Sequence, residues 1–345
     1  MTSLDFIIIG ENIHTTRVLM REGRRIGQNK KNGEEVVIYR GLKGENKSME
    51  IPEIYRDTQS FKDGRVKHFM VAISNGMSSD SRLKAEGEDY IEAEILRQEN
   101  NGADFLDLNV DELSHRINIQ KEAMEWLVDL FCEKAHRPPS IDSSSTDILK
   151  TGLKRYIANG SPQGKPMVNS ASLERLEVLD LVSEYESYVI VTSAGSEGMP
   201  ENEYERLDNA QSMMEECGNR DISDHQIHID PLLFPIAVDQ NYGNHFLETV
   251  GLMRSEFGNG VRISGGLSNV SFGLPARKLI NDTFIRLAIE AGVNSGIVNP
   301  VETNIERIMS MDMESEKCKA AKDMLTGQDE YCMTFISKYR EGALS

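Results

Sequence analysis

Gly266-Leu267-Ser268-Asn269-Val270-Ser271 decides how this chain reads, together with Ile229-Asp230-Pro231-Leu232-Leu233-Phe234-Pro235 upstream of it. In both stretches an apolar run stops abruptly at a carboxylate or a carboxamide. The same event recurs at Asp107 and Asn109, at Asp142 and at Asn169. Side chains so far apart in sequence converge only if the runs are parallel strands that end on one face.

Working outward, eight short apolar or β-branched runs follow in order: Phe6–Gly10, Phe105–Val110, Ser140–Ser143, Pro166–Asn169, Tyr188–Thr192, Ile227–Leu233, Val261–Gly265 and Gly296–Asn299. Helical periodicity fills the gaps, with apolar residues from Tyr90 to Leu96 before a stop at Gly102, from Met124 to Phe131, from Leu173 to Val182 and from Leu279 to Ile289. Strands alternating with helices predict a parallel sheet with right-handed crossovers, and eight of them predict closure into a single (β/α)8 TIM barrel. An open doubly wound sheet is the alternative, but no G-x-G-x-x-G follows any of the runs. The whole of 1–345 reads as one barrel domain. Residues from Met311 onward read as helical additions, with Tyr331–Ile336 packed on the outside.

The chain's 345 residues suffice for such a barrel, and 39% hydrophobic with 27% charged residues is an ordinary globular composition. No apolar run approaches the ~20 residues that span a bilayer, and Met1–Gly10 lacks the basic start and apolar core of a signal peptide, so a cytoplasmic location is expected. A formal charge of -18 argues against nucleic acid as a partner, because phosphate binding needs a basic footprint. Cys132, Cys217, Cys318 and Cys332 are scattered without a C-x-x-C pair and read as reduced packing residues.

One segment breaks the rhythm. Residues 17–67 form an insertion between the first strand and its helix, with thirteen Lys/Arg against eight Asp/Glu, a local charge of +5. A connection that long is uncommon and is functional or disordered; Val36-Val37-Ile38-Tyr39 reads as one strand of a hairpin within it. Leaving the C-terminal end of the first strand, it is either a solvated surface insertion or a basic flap over an anionic ligand or partner.

Polar groups at the C-terminal strand ends of a barrel are the candidate site. Here they are Glu11, Asn12 and His14, then Asp107 and Asn109, Asp142, Asn169, Asp230, Asn269 and Asn299. Ionised carboxylates only accept hydrogen bonds, whereas carboxamides both donate and accept. Such a ring suits a flat heterocycle that carries N–H donors beside a carbonyl, and a pterin fits that description. Asp142, ahead of Ser143-Ser144-Ser145, reads equally well as a helix N-cap. His225-x-x-His228 has metal-ligand spacing but precedes the sixth strand, so no metal site is assigned. No G-x-S-x-G nucleophile appears, and Ser193-Ala194-Gly195 reads as a wall.

Taken together, Ile9–Ile13, Leu106–Val110, Asp142–Ser144, Val168–Ser170, Ile229–Leu232, Gly266–Ser271, Arg277 and Thr283-Phe284 resemble the pterin-binding methyltransferases that act between methyltetrahydrofolate and a corrinoid protein. The folate module of cobalamin-dependent methionine synthase belongs to the same group. The resemblance implies that Asp142, Asn169 and Asp230 hold the pyrimidine-like edge of the pterin, with Asp107, Asn109 and Glu11 bordering the pocket. It implies that Asn269 sits near N5 as the catalytic amide and that Arg277 fixes the far side. It further implies tetrahydrofolate or 5-methyltetrahydrofolate as substrate, cobalamin on a partner protein, and a homodimer.

Two features depart from that pattern. Phe272 stands where members of the group often carry a polar Gln, and the 17–67 insertion is absent from compact members. The competing readings are a dihydropteroate synthase-like enzyme and a catalytically silent pterin-binding subunit. The first lacks its Asn-Val-Thr-Pro-Asp-Ser-Phe-like loop and its terminal Arg-x-His here; the second draws on Phe272.

Overall fold

A computed structural model describes residues 5–30 and 32–344; Lys31, counted in the basic stretch, lies outside the described residues. The barrel strands are β1 (Ile7–His14), β2 (Phe105–Asn109), β3 (Pro139–Asp142), β4 (Met167–Ala171), β5 (Tyr188–Thr192), β6 (Ile227–Asp230), β7 (Arg262–Ile263) and β8 (Ser295–Val298). They form one eight-stranded sheet in the order β7-β6-β5-β4-β3-β2-β1-β8, the topology of a (β/α)8 barrel. The ends of that order meet: the Ile297 N–H donates to the Gly265 carbonyl at 2.9 Å, and Asn294 N–H to the Ile263 carbonyl at 3.2 Å. The chain divides into two compact units, Gly10–Met167 and the remainder.

Within Gly10–Met167, β2 and β3 pair in parallel, Asn109 opposite Asp142. Helix α1 (His68–Gly76) lies along α2 (Ser81–Glu99), and Asp80 caps α2 by accepting from the N–H groups of Arg82 at 2.8 Å and Leu83 at 3.2 Å. Helices α3 (Ile117–Lys134) and α4 (Thr146–Ala158) complete this unit.

The insertion is folded. Ile26–Gln28, Glu35–Arg40 and Asn46–Glu50 make a three-stranded antiparallel sheet, so Val36–Tyr39 does form a strand, as expected. Val18–Met20 pairs antiparallel with Arg65–Lys67 at the base of the excursion. Polar contacts fasten the sheet along one face of α2. Tyr39 Oη and Lys47 Nζ both donate to Asp89 at 2.5 Å, Glu50 N–H to Glu86 at 2.7 Å, and Arg82 pairs with Glu50 at 2.8 Å. Val36, Val37, Met49 and Ile51 are buried beneath it.

In the other unit, β5 and β6 run parallel with Thr192 opposite Asp230. Strand β6 stops at Asp230, short of the predicted end at Leu233. Pro231 offers no N–H to a ladder and Leu232 has φ +66°, so the pairing cannot continue. Strand β7 keeps only Arg262–Ile263, because the chain turns away through Gly265-Gly266. Helices α5 (Glu177–Glu184), α6 (Glu203–Gly218), α7 (Tyr242–Phe257) and α8 (Arg277–Ala291) belong here, followed by α9 (Ile305–Met309), α10 (Glu316–Leu325) and α11 (Met333–Arg340). Among the described residues no helix is long and apolar enough to cross a membrane.

Candidate functional site

In Gly10–Met167 the end of β3 carries a prepared carboxylate. Asp142 Oδ2 accepts from Asn109 Nδ2 at 2.9 Å and lies 3.2 Å from His14 Nε2. Asn109 is buried, and its Oδ1 accepts from Thr15 Oγ1 at 3.2 Å and from the Asp111 N–H at 3.0 Å. With its amide oxygen anchored in this way, Asn109 orients Asp142 through Nδ2. Asp142 does not cap a helix. The N-cap of α4 is Ser145, and Ser143 and Ser144 are held by Asp111 through bonds of 2.5 to 2.9 Å. Among the described residues only Oδ2 of Asp142 is engaged, which leaves Oδ1 to accept.

Glu11 pairs with Arg17 at 2.5 Å. Asn12 turns to α2: its side chain donates to Glu94 at 2.7 Å and its backbone N–H to Gln98 Oε1 at 3.2 Å, so it belongs to the strand–helix packing. Asp107 is 2% exposed within β2.

In the other unit Asp230 ends β6, and among the described residues its side chain has a single hydrogen bond, accepting the Leu232 N–H on Oδ1 at 2.7 Å. Burial pushes its pKa up to about 6, while the Leu232 N–H and the positive charge of Arg206 oppose that rise. A carboxylate with a free oxygen and this pKa is ionised and ready to accept at neutral pH. Gly265 is required beside it: a Cβ there would stand 3.2 Å from Asp230 Oδ1 and 3.3 Å from the Phe246 ring. At Gly266 a Cβ would stand 2.9 Å from Asn269 Nδ2, the end of an exposed side chain that can swing aside. The Gly265-Gly266 pair thus lies between the carboxylate and the carboxamide.

Asn269 lies exposed in the 3-10 turn Leu267–Ser271, and no hydrogen bond engages its side chain among the described residues. Arg277, in the first turn of α8, braces this turn from outside: Nε donates to Ser271 Oγ at 3.0 Å and Nη2 to the Ser268 carbonyl at 3.1 Å. Phe272, directly after the turn, is 67% exposed. Asn169 is half-buried in β4. His228 of the His225-x-x-His228 pair is buried, bonded to Ser295 Oγ at 2.8 Å and held down to about 3 by burial, whereas His225 is exposed; the two do not form a metal pair.

One residue escaped the sequence reading. Arg206, in the first turn of α6, is 0% exposed, and among the described residues none of its three guanidinium nitrogens has a hydrogen-bond partner. Its guanidinium lies 5.5 Å from the centre of the Phe234 ring. Burial lowers its pKa, and the negative potentials of Tyr242, Glu203, Asp230 and Glu205 offset part of that. Asn202 fixes the helix start by accepting from the Tyr204 and Glu205 N–H groups, both at 3.0 Å. The signal was present: Arg206, Ala210, Met213 and Cys217 share one buried helical stripe.

Residues 74–299 match the family described as pterin binding enzymes, and the chain belongs to that family. It is 26% identical over 269 residues to the methylcorrinoid:tetrahydrofolate methyltransferase of Eubacterium limosum, covering 76% of this chain and 91% of that protein. Against the methionine synthase of Mycobacterium tuberculosis it is 28% identical over 216 residues, 59% of this chain but only 17% of that one. The dihydropteroate synthase structure from Stenotrophomonas maltophilia superposes with a TM-score of 0.52 at 14% identity, covering 65% of this chain and 86% of that one, which is a likeness of fold.

Proposed function

We propose that this chain transfers a methyl group between N5 of tetrahydrofolate and the cobalt of a corrinoid held by a separate protein. The direction we assign is from methylcorrinoid to tetrahydrofolate, the reaction for which the Eubacterium limosum relative is named. The observation that carries the reading is Asp230: a buried carboxylate that, among the described residues, keeps one uncommitted oxygen, one glycine pair away from the Asn269 amide, which has no partner there.

The chemistry of these groups fits a pterin. The 2-amino group and the neighbouring ring N–H present two donors side by side, and an ionised carboxylate accepts both. Asp230 takes this role, with Asp142 and Asn169 assigned to the same heterocycle edge. Asn269 is assigned to N5. As N5 gains the methyl group it builds positive charge, its proton passing to water, and the carbonyl oxygen of the amide accepts from that N–H more strongly in the transition state than in the ground state. The corrinoid supplies the cobalt that carries the methyl group. Arg277 works through the 3-10 turn and positions Asn269. Assembly as a homodimer belongs to the proposal, and sedimentation would test it.

Titration with methyltetrahydrofolate, followed by absorbance of free cob(I)alamin as it becomes methylcobalamin, tests the reading in the reverse direction. A second reading rests on Phe272, which sets an exposed ring beside Asn269 where a polar partner is expected; it makes the chain a pterin binder without turnover. Tight folate binding with no spectral change would select that reading. Asn269→Ala is expected to lower turnover while leaving folate affinity within a few-fold; loss of affinity with turnover intact would contradict the assignment.

A further inference from the structure

The insertion contains a cavity that the pterin reading does not use. It encloses about 390 Å³ between the insertion sheet and α2, within the range of small-molecule sites. Four guanidinium groups line it, those of Arg24, Arg25, Arg40 and Arg97, against one carboxylate, Glu94. Glu94 is already spent on Asn12 at 2.7 Å and on Arg97 at 3.4 Å. The nearby Asp89 is equally spent, on Tyr39 and Lys47.

What sets three cations of the insertion apart is the cavity they share, since Lys30, Lys43, Lys62 and Arg65 also lack ion pairs among the described residues. Five others find carboxylates: Arg17 with Glu11, Arg21 with Glu35, Arg56 with Glu34, Lys47 with Asp89, Lys67 with Glu112. Among the described residues, Arg24, Arg25 and Arg40 form no ion pair, although acidic residues outnumber basic ones 56 to 38 in the sequence. Arg40 has one bond, to the Gly44 carbonyl at 3.0 Å, and Arg24 has none. Arg25 is fixed in place, because Nη2 donates to Tyr90 Oη, which lies 2.8 Å from the buried His68 Nδ1. His68 is kept neutral by burial and by the positive charges of Arg25 and Arg17, so the relay adds no cation but senses the positive field. Tyr39 and Tyr90, edge to face at 4.9 Å, form a rigid wall with Ile38 and Ala93.

From this geometry we propose that the cavity binds a small molecule bearing two or more anionic oxyacid groups, phosphate or carboxylate, through Arg24, Arg25 and Arg40. Arginine forks match both groups through paired hydrogen bonds, and a pre-set fork loses less entropy on binding than a free one. The proposal is independent of the pterin reading.

Calorimetric titration of the full chain with inorganic pyrophosphate and, separately, with triglutamate tests it. Saturable binding of either is expected, weakening as salt is raised. Binding of pyrophosphate alone assigns the site to phosphorylated ligands, and binding of triglutamate alone assigns it to oligocarboxylates. The Arg24→Ala/Arg40→Ala double variant alters exposed side chains only. It is expected to keep its melting temperature and its affinity for methyltetrahydrofolate while losing about 100-fold or more in affinity for the anion. Absence of saturable binding by both probes, or equal binding by the double variant, overturns the proposal.

Discussion

Asp230→Asn separates recognition from stability, and the structure gives the size of both effects. The carboxyl of Asp230 has its ordinary pKa of 3.8 in the unfolded chain and about 6 in the fold. The folded form therefore holds the proton more tightly. Stability from this group is complete below 3.8 and is lost as pH rises through 6. At 1.36 kcal/mol per tenfold, the ionised carboxylate costs the ligand-free protein about 3 kcal/mol at pH 8. The pull of Arg206 is already contained in that figure.

Asparagine keeps an oxygen for the Leu232 N–H and never ionises. The variant is thus expected to be more stable than the parent by up to about 3 kcal/mol at pH 8, by about half of that at pH 5, and by nothing below 3.8. Folate binding should move the opposite way. Two charge-assisted hydrogen bonds are lost and an NH2 group is turned toward a donor, so affinity should fall about 100-fold or more at pH 8. In the parent, binding should weaken about tenfold from pH 8 to pH 5 as Asp230 takes up its proton, since each unit below its pKa removes a factor of ten in the ionised form. Urea unfolding and calorimetric titration at both pH values read all of this; the ligand's own titration is common to both proteins. A variant no more stable than the parent at pH 8, or one binding folate within threefold of it, would refute the reasoning.

Three further expectations follow from named contacts. Arg206→Met removes the cation whose charge holds the Asp230 pKa down, so the acid limb of folate binding should move to higher pH, and Arg206→Lys should bring it back; a limb unchanged in Arg206→Met would remove Arg206 from the site. Arg277→Ala leaves the Ser268–Ser271 turn unbraced and should lower kcat with KM for folate changed only a few-fold, as steady-state kinetics would show. His228 stays neutral in the fold down to about 3, whereas the unfolded chain takes up its proton near 6.5. That stability is intact above 6.5 and is lost as pH falls toward 3, by at most about 5 kcal/mol; His228→Asn should flatten this loss in urea midpoints measured from pH 7 to pH 4.

Much of the barrel was legible because strands buried in a parallel sheet are written as short apolar runs, and the polar residue that ends each run is where the chain reaches the rim. Tyr188–Thr192 has the predicted bounds, and Asp230 and Asn269 lie where the punctuation put them. Roles were less legible than positions. Asn109 and Asp142 look alike in sequence, yet in the fold one donates to the other and orients it. Asn12 follows Glu11 at a strand end but faces α2.

By itself, the sequence determined the element order, the parallel topology and which side chains end the strands, because these follow from local periodicity and from where proline and glycine interrupt it. Only the tertiary structure decided which of those side chains keep an unused hydrogen-bonding atom. It also decided that the charge of a buried arginine reaches Asp230, and that three arginines of 17–67 with no ion pair among the described residues gather around one cavity. The physical reason is that availability of a polar group depends on every neighbour within hydrogen-bond reach, and in this fold those neighbours come from distant parts of the chain.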